Sequence, residues 1–188
     1  MPLFPILSRR IQNSGSIAID FWILAFYNDG YLGKVPDPPK YVGGMDVSRT
    51  PVFDIKIDIT GETVHLKTEN GQVDMIPFRG TVKGPLFEGI VEPCGVDTQV
   101  VNAAKVRHMS ARYMLTGKDH EGRDAHIYVE NNGWFDERTG PMTMPFHTVP
   151  IFYTDSPALI PYLHRNQFEG EGHMLEDGLH ILFFQVEP

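Results

Sequence analysis

The sequence predicts an all-β protein, a small antiparallel β-barrel of about eight to ten strands with an N-terminal extension. Three observations predict it. Apolar and polar residues alternate with period two through most of residues 51–188, turn signals separate these runs at short spacing, and hardly any segment has helical periodicity. A sheet with an apolar face must have that face covered, and no set of helices is on hand to cover it. Closing the sheet on itself buries the face and removes the exposed edges together, which favours a barrel over a sandwich.

Residues 1–50 read as an extension. An apolar run at residues 17–27 follows Arg9 and Arg10, but Asp20 interrupts it and no small-residue cleavage site follows. About 11 residues cannot span a bilayer, so the run reads as a buried strand or amphipathic segment, and the expectation is a cytoplasmic protein without membrane contact, a secreted one being the alternative. Asn28-Asp29-Gly30 signals a turn, and three prolines among residues 34–40, followed by Gly43-Gly44, exclude helix and central strand there. Residues 51–188 form the expected barrel domain. In Phe53-Asp54-Ile55-Lys56-Ile57-Asp58-Ile59 every odd position is apolar and every even one charged, a half-buried strand. Thr60-Gly61-Glu62 turns it into residues 63–67, and Glu69-Asn70-Gly71 makes the next turn. Further β-rich runs cover 73–83, 86–92, 98–101, 148–153 and 179–186. A hairpin is expected to join 106–116 to 125–131 across the polar loop 117–124. Only 156–166 has helical character, and Pro157 and Pro161 limit it to a turn or two.

The composition fits one globular domain with something added: 188 residues, 41% hydrophobic and 21% charged. The net charge of −8 argues against nucleic acid, whose phosphates demand concentrated Lys and Arg. Its distribution is uneven, with 5 basic and 4 acidic groups in the first fifty residues against 11 and 20 in the rest. One cysteine, Cys94, excludes an internal disulfide and argues against a cysteine-based zinc site. No phosphate-binding glycine loop, nucleophile elbow or H-E-x-x-H pair is present, and Gly170-Glu171-Gly172 is only G-x-G with an acid that would repel a pyrophosphate. No cofactor and no metal is therefore expected, although His147, His164 and an acidic residue gathered by the fold would make a metal site.

The candidate functional residues come from polar positions on strands and from isolated imidazoles. Along 106–116 one face carries Arg107, Met109, Ala111, Tyr113 and Leu115, and the other His108, Ser110, Arg112, Met114 and Thr116. In an ordinary sheet the second face is solvated. In a ligand-binding barrel it would line the cavity, where Arg112 would bind a carboxylate or enolate oxygen. The partner strand offers His126, Tyr128 and Glu130 on one face and Ile127, Val129 and Asn131 on the other. His147 and His164 lie in apolar contexts, either as hydrogen-bonded core residues or as a general acid and base, since imidazole titrates near neutrality. Asp97 and Gln99, just past Pro93-Cys94-Gly95, either cap that turn or point into a cavity entrance. Trp134 follows a turn at Asn131-Asn132-Gly133, as a rim plug or a stacking platform.

Several short motifs stand in a recognisable order: Phe78-Arg79-Gly80-Thr81-Val82-Lys83-Gly84-Pro85-Leu86-Phe87-Glu88-Gly89, Asp97-Thr98-Gln99-Val100-Val101 and Ala111-Arg112-Tyr113. Ile127-Tyr128-Val129-Glu130-Asn131-Asn132-Gly133, Phe146-His147-Thr148-Val149-Pro150-Ile151-Phe152, Tyr162-Leu163-His164-Arg165, Phe168-Glu169-Gly170 and Phe184-Gln185-Val186 continue it. Together they resemble the domain-of-unknown-function 3237 family, small β-barrel proteins of calycin-like shape, over about residues 51–188. The resemblance implies a barrel with a central cavity and, through members that lie near small-molecule or secondary-metabolite genes, isomerase, cyclase or lyase chemistry. This chain departs from the family pattern at Ser110, His147 and His164, where an acidic residue, an arginine and an asparagine are usual.

The leading expectation is a cofactor-independent enzyme acting by proton transfer on a small, largely apolar metabolite inside the barrel. His147 and His164 would be acid and base, Arg112 and Tyr128 would stabilise an enolate or carboxylate, and Asp97 would orient them. Trp134, Phe152, Tyr162, Gln99 and Ser110 would contact the substrate. The alternatives are a binding barrel without catalysis, or an interaction module whose prefix docks a second subunit in a homodimer.

Overall fold

The structure, a computed structural model, describes residues 50–186. The apolar run at 17–27 and the proline-rich arm lie outside the described residues. Nine strands follow in chain order: β1 (Phe53–Ile59), β2 (Val64–Thr68), β3 (Gly71–Lys83), β4 (Phe87–Val101), β5 (Val106–Asp119), β6 (Asp124–Asp136), β7 (Phe146–Thr154), β8 (Phe168–Leu175) and β9 (Gly178–Gln185). The described helices are a 3₁₀ turn at Glu137–Thr139 and one four-residue helix, α1 (Ile160–Leu163). None of them is long and apolar enough to cross a membrane.

Each strand pairs antiparallel with its neighbours in the order β1-β9-β8-β7-β6-β5-β4-β3, and β3 pairs back to β1, so eight strands close into a barrel. β3 makes that closure possible by serving two partners along one edge. Residues 78–83 pair with β1, and residues 71–75 pair with β2, a ninth strand outside the closed ring. β2 is exposed along its whole length.

Alternation fixes which side chains enter the barrel, because successive residues of a strand point to opposite faces. On β5 the buried residues include Arg107, Met109, Tyr113 and Leu115, and on β6 they are Ala125, Ile127, Val129, Asn131 and Gly133. Register pairs Tyr113 with Val129 and Leu115 with Ile127, so the apolar faces of both strands meet inside. Burying each such aliphatic side chain contributes about 1.5–3 kcal/mol, and the reverse phase would instead bury Lys118 and His126. The row His108, Arg112 and Met114 therefore faces outward, which corrects the expectation that it lines the interior.

Three stretches differ from the sequence reading. The runs at 86–92 and 98–101 are one strand, β4, with a register shift between Val91 and Val96 at the Pro93-Cys94-Gly95 segment. Proline has no amide to donate to the ladder, and a bulge is where a strand tolerates that loss. The loop of the β5–β6 hairpin is shorter than expected, because both strands run on to Asp119 and Asp124. Finally β8, FEGEGHML, is a strand where only a G-x-G segment stood out. A Cβ on Gly170 would collide with the Thr148 side chain and stand 2.8 Å from the Phe183 ring, so glycine lets both pack there.

The interior divides along the barrel axis. Towards the α1 end, Phe152 sits fully buried among Phe53, Phe168 and Phe183, with ring centroids 5.6, 5.1 and 5.3 Å away in edge-to-face arrangements. Leu159 and Leu163 of the α1 segment are also fully buried. Towards the opposite end the buried side chains turn polar: Asp74, Asp97, Gln99, Arg107, Asn131 and Thr148.

Candidate functional site

The polar end of the interior is built on five neighbouring strands, β3 to β7. After its bulge β4 presents Asp97 and Gln99 inward at alternate positions, both buried. Gln99 Nε2 donates to Asp97 Oδ2 at 2.7 Å, and Gln99 Oε1 accepts from Arg107 Nη1 at 2.9 Å. Arg107, buried on β5, also donates through Nε to Glu137 Oε1 at 2.8 Å and pairs with Asp74 Oδ2 at 3.5 Å. Asp74 in turn accepts from Gln72 Nε2 at 2.8 and 2.9 Å and pairs with His65 Nδ1 of β2 at 2.6 Å. A continuous chain thus runs from half-exposed His65 through Asp74, Arg107 and Gln99 to the buried Asp97 carboxyl.

That chain ends on one oxygen of Asp97. Its other oxygen, Oδ1, is buried and has no hydrogen-bond partner among the described residues. The same is true of Tyr113 OH, Asn131 Oδ1 and Thr148 Oγ1, which lie on the inward faces of β5, β6 and β7. Register sets Asp97, Ala111, Asn131 and Pro150 in one row across the wall, with Tyr113 one inward step from that row on the Val129 and Phe152 side and Thr148 one inward step on the other side. Native interiors satisfy most buried polar atoms, so four unmet ones on one wall mark a place where something else supplies the partners. Phe78, whose ring lies 5.3 Å from that of Tyr113, and Met109 give the same region apolar walls.

Charge is shifted here as well. Burial pushes the Asp97 carboxyl above its ordinary range, and the Gln99 side chain, the Ser110 backbone and the nearby Arg107 and His108 only partly oppose this. Burial pushes the Tyr113 phenol up too, with the nearby Asp97 charge adding to it, so the phenol keeps its proton.

The residues singled out from sequence fall on both sides of the wall. Asp97 and Gln99 are inside and bonded to each other. Phe152 is inside but belongs to the aromatic core at the other end. Ser110 is buried on the outward face of β5, and its Oγ has no hydrogen-bond partner among the described residues. Arg112 and Tyr128 stand outside, where both bond Glu130: Arg112 Nη2 to Oε1 at 3.2 Å and Tyr128 OH to Oε2 at 3.4 Å. His147 is exposed on β7, because Phe146, Thr148, Pro150 and Phe152 take the inward positions of that strand. His164 is exposed beyond α1 and accepts the Thr154 amide at Nε2, 3.1 Å away. Trp134 is 61% exposed and stacks on His108 with centroids 4.9 Å apart. Tyr162 is exposed, edge-on to His120. The interior pairing expected of His147 and His164 is therefore not formed, and among the described residues no three metal-ligating side chains are gathered. Arg107, Tyr113, Asn131 and Thr148 were missed as site residues. The signal for the first and third was a lone polar group on an otherwise apolar strand face.

A closed antiparallel barrel of eight strands with one further strand outside the ring defines the class: small single-barrel β proteins. The chain belongs to the family described as Protein of unknown function (DUF3237), whose model matches residues 47–186. A UPF0311 protein of Clostridium acetobutylicum is 35% identical over 100 residues, a match that takes in 46% of this chain and 61% of that relative's length. Among solved structures, a protein of unknown function from Clostridium acetobutylicum is 29% identical with a TM-score of 0.58, over 73% of this chain and 97% of that one. A conserved protein of unknown function from Rhodopseudomonas palustris is 28% identical with a TM-score of 0.57, over 73% and 96%. A β-barrel-like protein from Acinetobacter baumannii, 21% identical with a TM-score of 0.56 over 74% and 95%, shares the fold.

Proposed function

We propose that the protein is an enzyme that moves a proton on a small, largely apolar metabolite bound inside the barrel, in an isomerase, cyclase or lyase type of reaction. The observation that carries this reading is Asp97: one carboxyl oxygen is clamped by Gln99, the other is buried and unpartnered, and the group is held above its ordinary range. A carboxyl whose proton affinity burial has raised is a stronger base towards carbon than a solvated one and can return the proton elsewhere, which is what a general base and acid must do. In an isomerisation Oδ1 of Asp97 would remove a proton beside a carbonyl. The resulting enolate oxygen would accept the Tyr113 hydroxyl bond, and the carboxyl, after exchanging its proton with solvent, would protonate the first carbon again or a second one. Small-molecule or secondary metabolism is the setting this chemistry fits, and a cytoplasmic location fits a lone free cysteine, Cys94.

The competing reading is a binding barrel without catalysis, which would use the same contacts but move no proton. The test is solvent exchange. The full chain is incubated in D₂O with a panel of small cyclic ketones and enones, and deuterium entering beside the carbonyl is followed by NMR. Wild type is expected to accelerate exchange by about 10²-fold or more over buffer. Asp97→Asn is expected to fall to the buffer rate while still binding the ketone. Undiminished exchange in Asp97→Asn would remove the proposed role, and binding without exchange in wild type would favour the non-catalytic barrel.

A further inference from the structure

The four unpartnered atoms also specify a ligand. We infer that the molecule bound in the barrel is electrically neutral and carries a carbonyl-type acceptor beside a hydroxyl- or amide-type donor. This rests on the barrel interior being the binding site, as in the function proposed above, but not on any proton being moved.

The hydrogen-bond inventory sets the donor and acceptor. The Tyr113 hydroxyl retains its proton and so presents a donor, which calls for an acceptor on the ligand. Asn131 Oδ1 can only accept, which calls for a donor on the ligand. Thr148 Oγ1 and Asp97 Oδ1 adapt, since a hydroxyl both donates and accepts and a carboxyl does either according to its protonation. A pure hydrocarbon would leave all four unmet. A simple ketone would satisfy Tyr113 and leave Asn131 facing carbon.

The charge inventory sets neutrality. The buried charged side chains at this end are Asp74, Asp97 and Arg107. Arg107 is engaged by Asp74, Gln99 and Glu137, so its guanidinium is committed within the wall. An anionic ligand would add negative charge beside two carboxyls in a medium where charge is poorly screened. An ammonium ligand would be accepted by Asn131 Oδ1 and Thr148 Oγ1 but has no acceptor to offer the Tyr113 hydroxyl. The anion meets like charge and the ammonium leaves the Tyr113 donor unmet, whereas a neutral hydroxy-ketone supplies both an acceptor and a donor.

The experiment is calorimetric titration of the full chain with matched probes: 1-tetralone, its ring-hydroxylated isomers, the 1,2,3,4-tetrahydro-1-naphthoate anion and the 1-aminotetralin cation. At least one hydroxylated ketone is expected to bind about tenfold or more tighter than 1-tetralone, the worth of one added buried hydrogen bond. Both ions are expected to bind more weakly than 1-tetralone. Asn131→Leu should abolish the gain from the hydroxyl, so that the hydroxylated ketones bind no tighter than 1-tetralone to that variant. Thr148→Val, isosteric and adjacent across β6 and β7, should reduce the same gain and serves if the first variant does not fold. The inference is overturned if either ion binds tightest, if the hydroxyl gain survives in both variants, or if no probe in the set binds. Equal affinities across the set, as for a wall satisfied by water alone, would overturn it too. The proton-transfer reading is judged separately by solvent exchange, so tight binding without exchange would sink that reading and leave this one standing.

Discussion

Asp97 is the residue at which stability and function pull apart. Burial raises its carboxyl, so over a pH interval the folded protein holds a proton that the unfolded chain has already released. The folded state then binds more protons, and stability falls as pH rises from the ordinary Asp range through the raised folded value. Asp97→Asn removes the ionisable group while keeping an acceptor for Gln99. The variant should therefore be more stable than wild type at neutral pH, with the gain disappearing below about pH 4, where both states of the wild-type carboxyl are protonated. Urea unfolding at the two pH values measures this. A variant less stable than wild type by the same margin at both would show that the Asp97 charge is not penalised. At this scale the sequence was only partly legible. Asp97 and Gln99 stand out by their place just past the Pro93-Cys94-Gly95 turn. His147 and His164 were chosen for the reactivity of imidazole, and residue type says nothing about which way a strand residue points.

The strands explain why that direction was hidden. On β7 both faces carry large apolar residues, with Phe146, Pro150 and Phe152 on one and Val149, Ile151 and Tyr153 on the other, so alternation alone cannot choose the inward one. The choice is made by β6 and β8, whose Asn131, Gly133 and Gly170 leave room for Thr148. By contrast β1 was readable outright, because its even positions are all charged, and the β5–β6 hairpin was readable from two long alternating runs. β8 was not, since inward glycines at 170 and 172 erase the apolar half of the pattern. Those glycines give an element-scale prediction. Gly170→Ala should force apart Thr148 and Phe183, destabilising the protein by about 1–3 kcal/mol, the usual cost of overpacking a filled interior. Ligand affinity should fall with it, because Thr148 is displaced from the polar wall. A denaturant midpoint equal to wild type would mean that the β7–β8 contact has slack.

Over the whole molecule, closure is what the composition and patterning predicted best. Strands with one apolar face and no helices to cover it leave few solutions, and pairing β3 with β1 is the one adopted. Closure also decides where chemistry can occur. Outside the barrel, imidazoles and carboxylates such as His126 and Asp155 pair with more than half of each side chain exposed to water, where an ion pair contributes little. Inside, the same groups are desolvated, their interactions strengthen, and an unsatisfied oxygen has real cost.

The claim that the working groups line the interior and not the outer surface is tested most directly by one comparison in the D₂O exchange assay. Wild type, Asp97→Asn and the double variant His147→Ala/His164→Ala are measured side by side on the same ketone. The account predicts that the double variant exchanges at the wild-type rate and Asp97→Asn at the buffer rate. Loss of exchange in the histidine pair with retention in Asp97→Asn would contradict it and move the chemistry to the outside of the barrel.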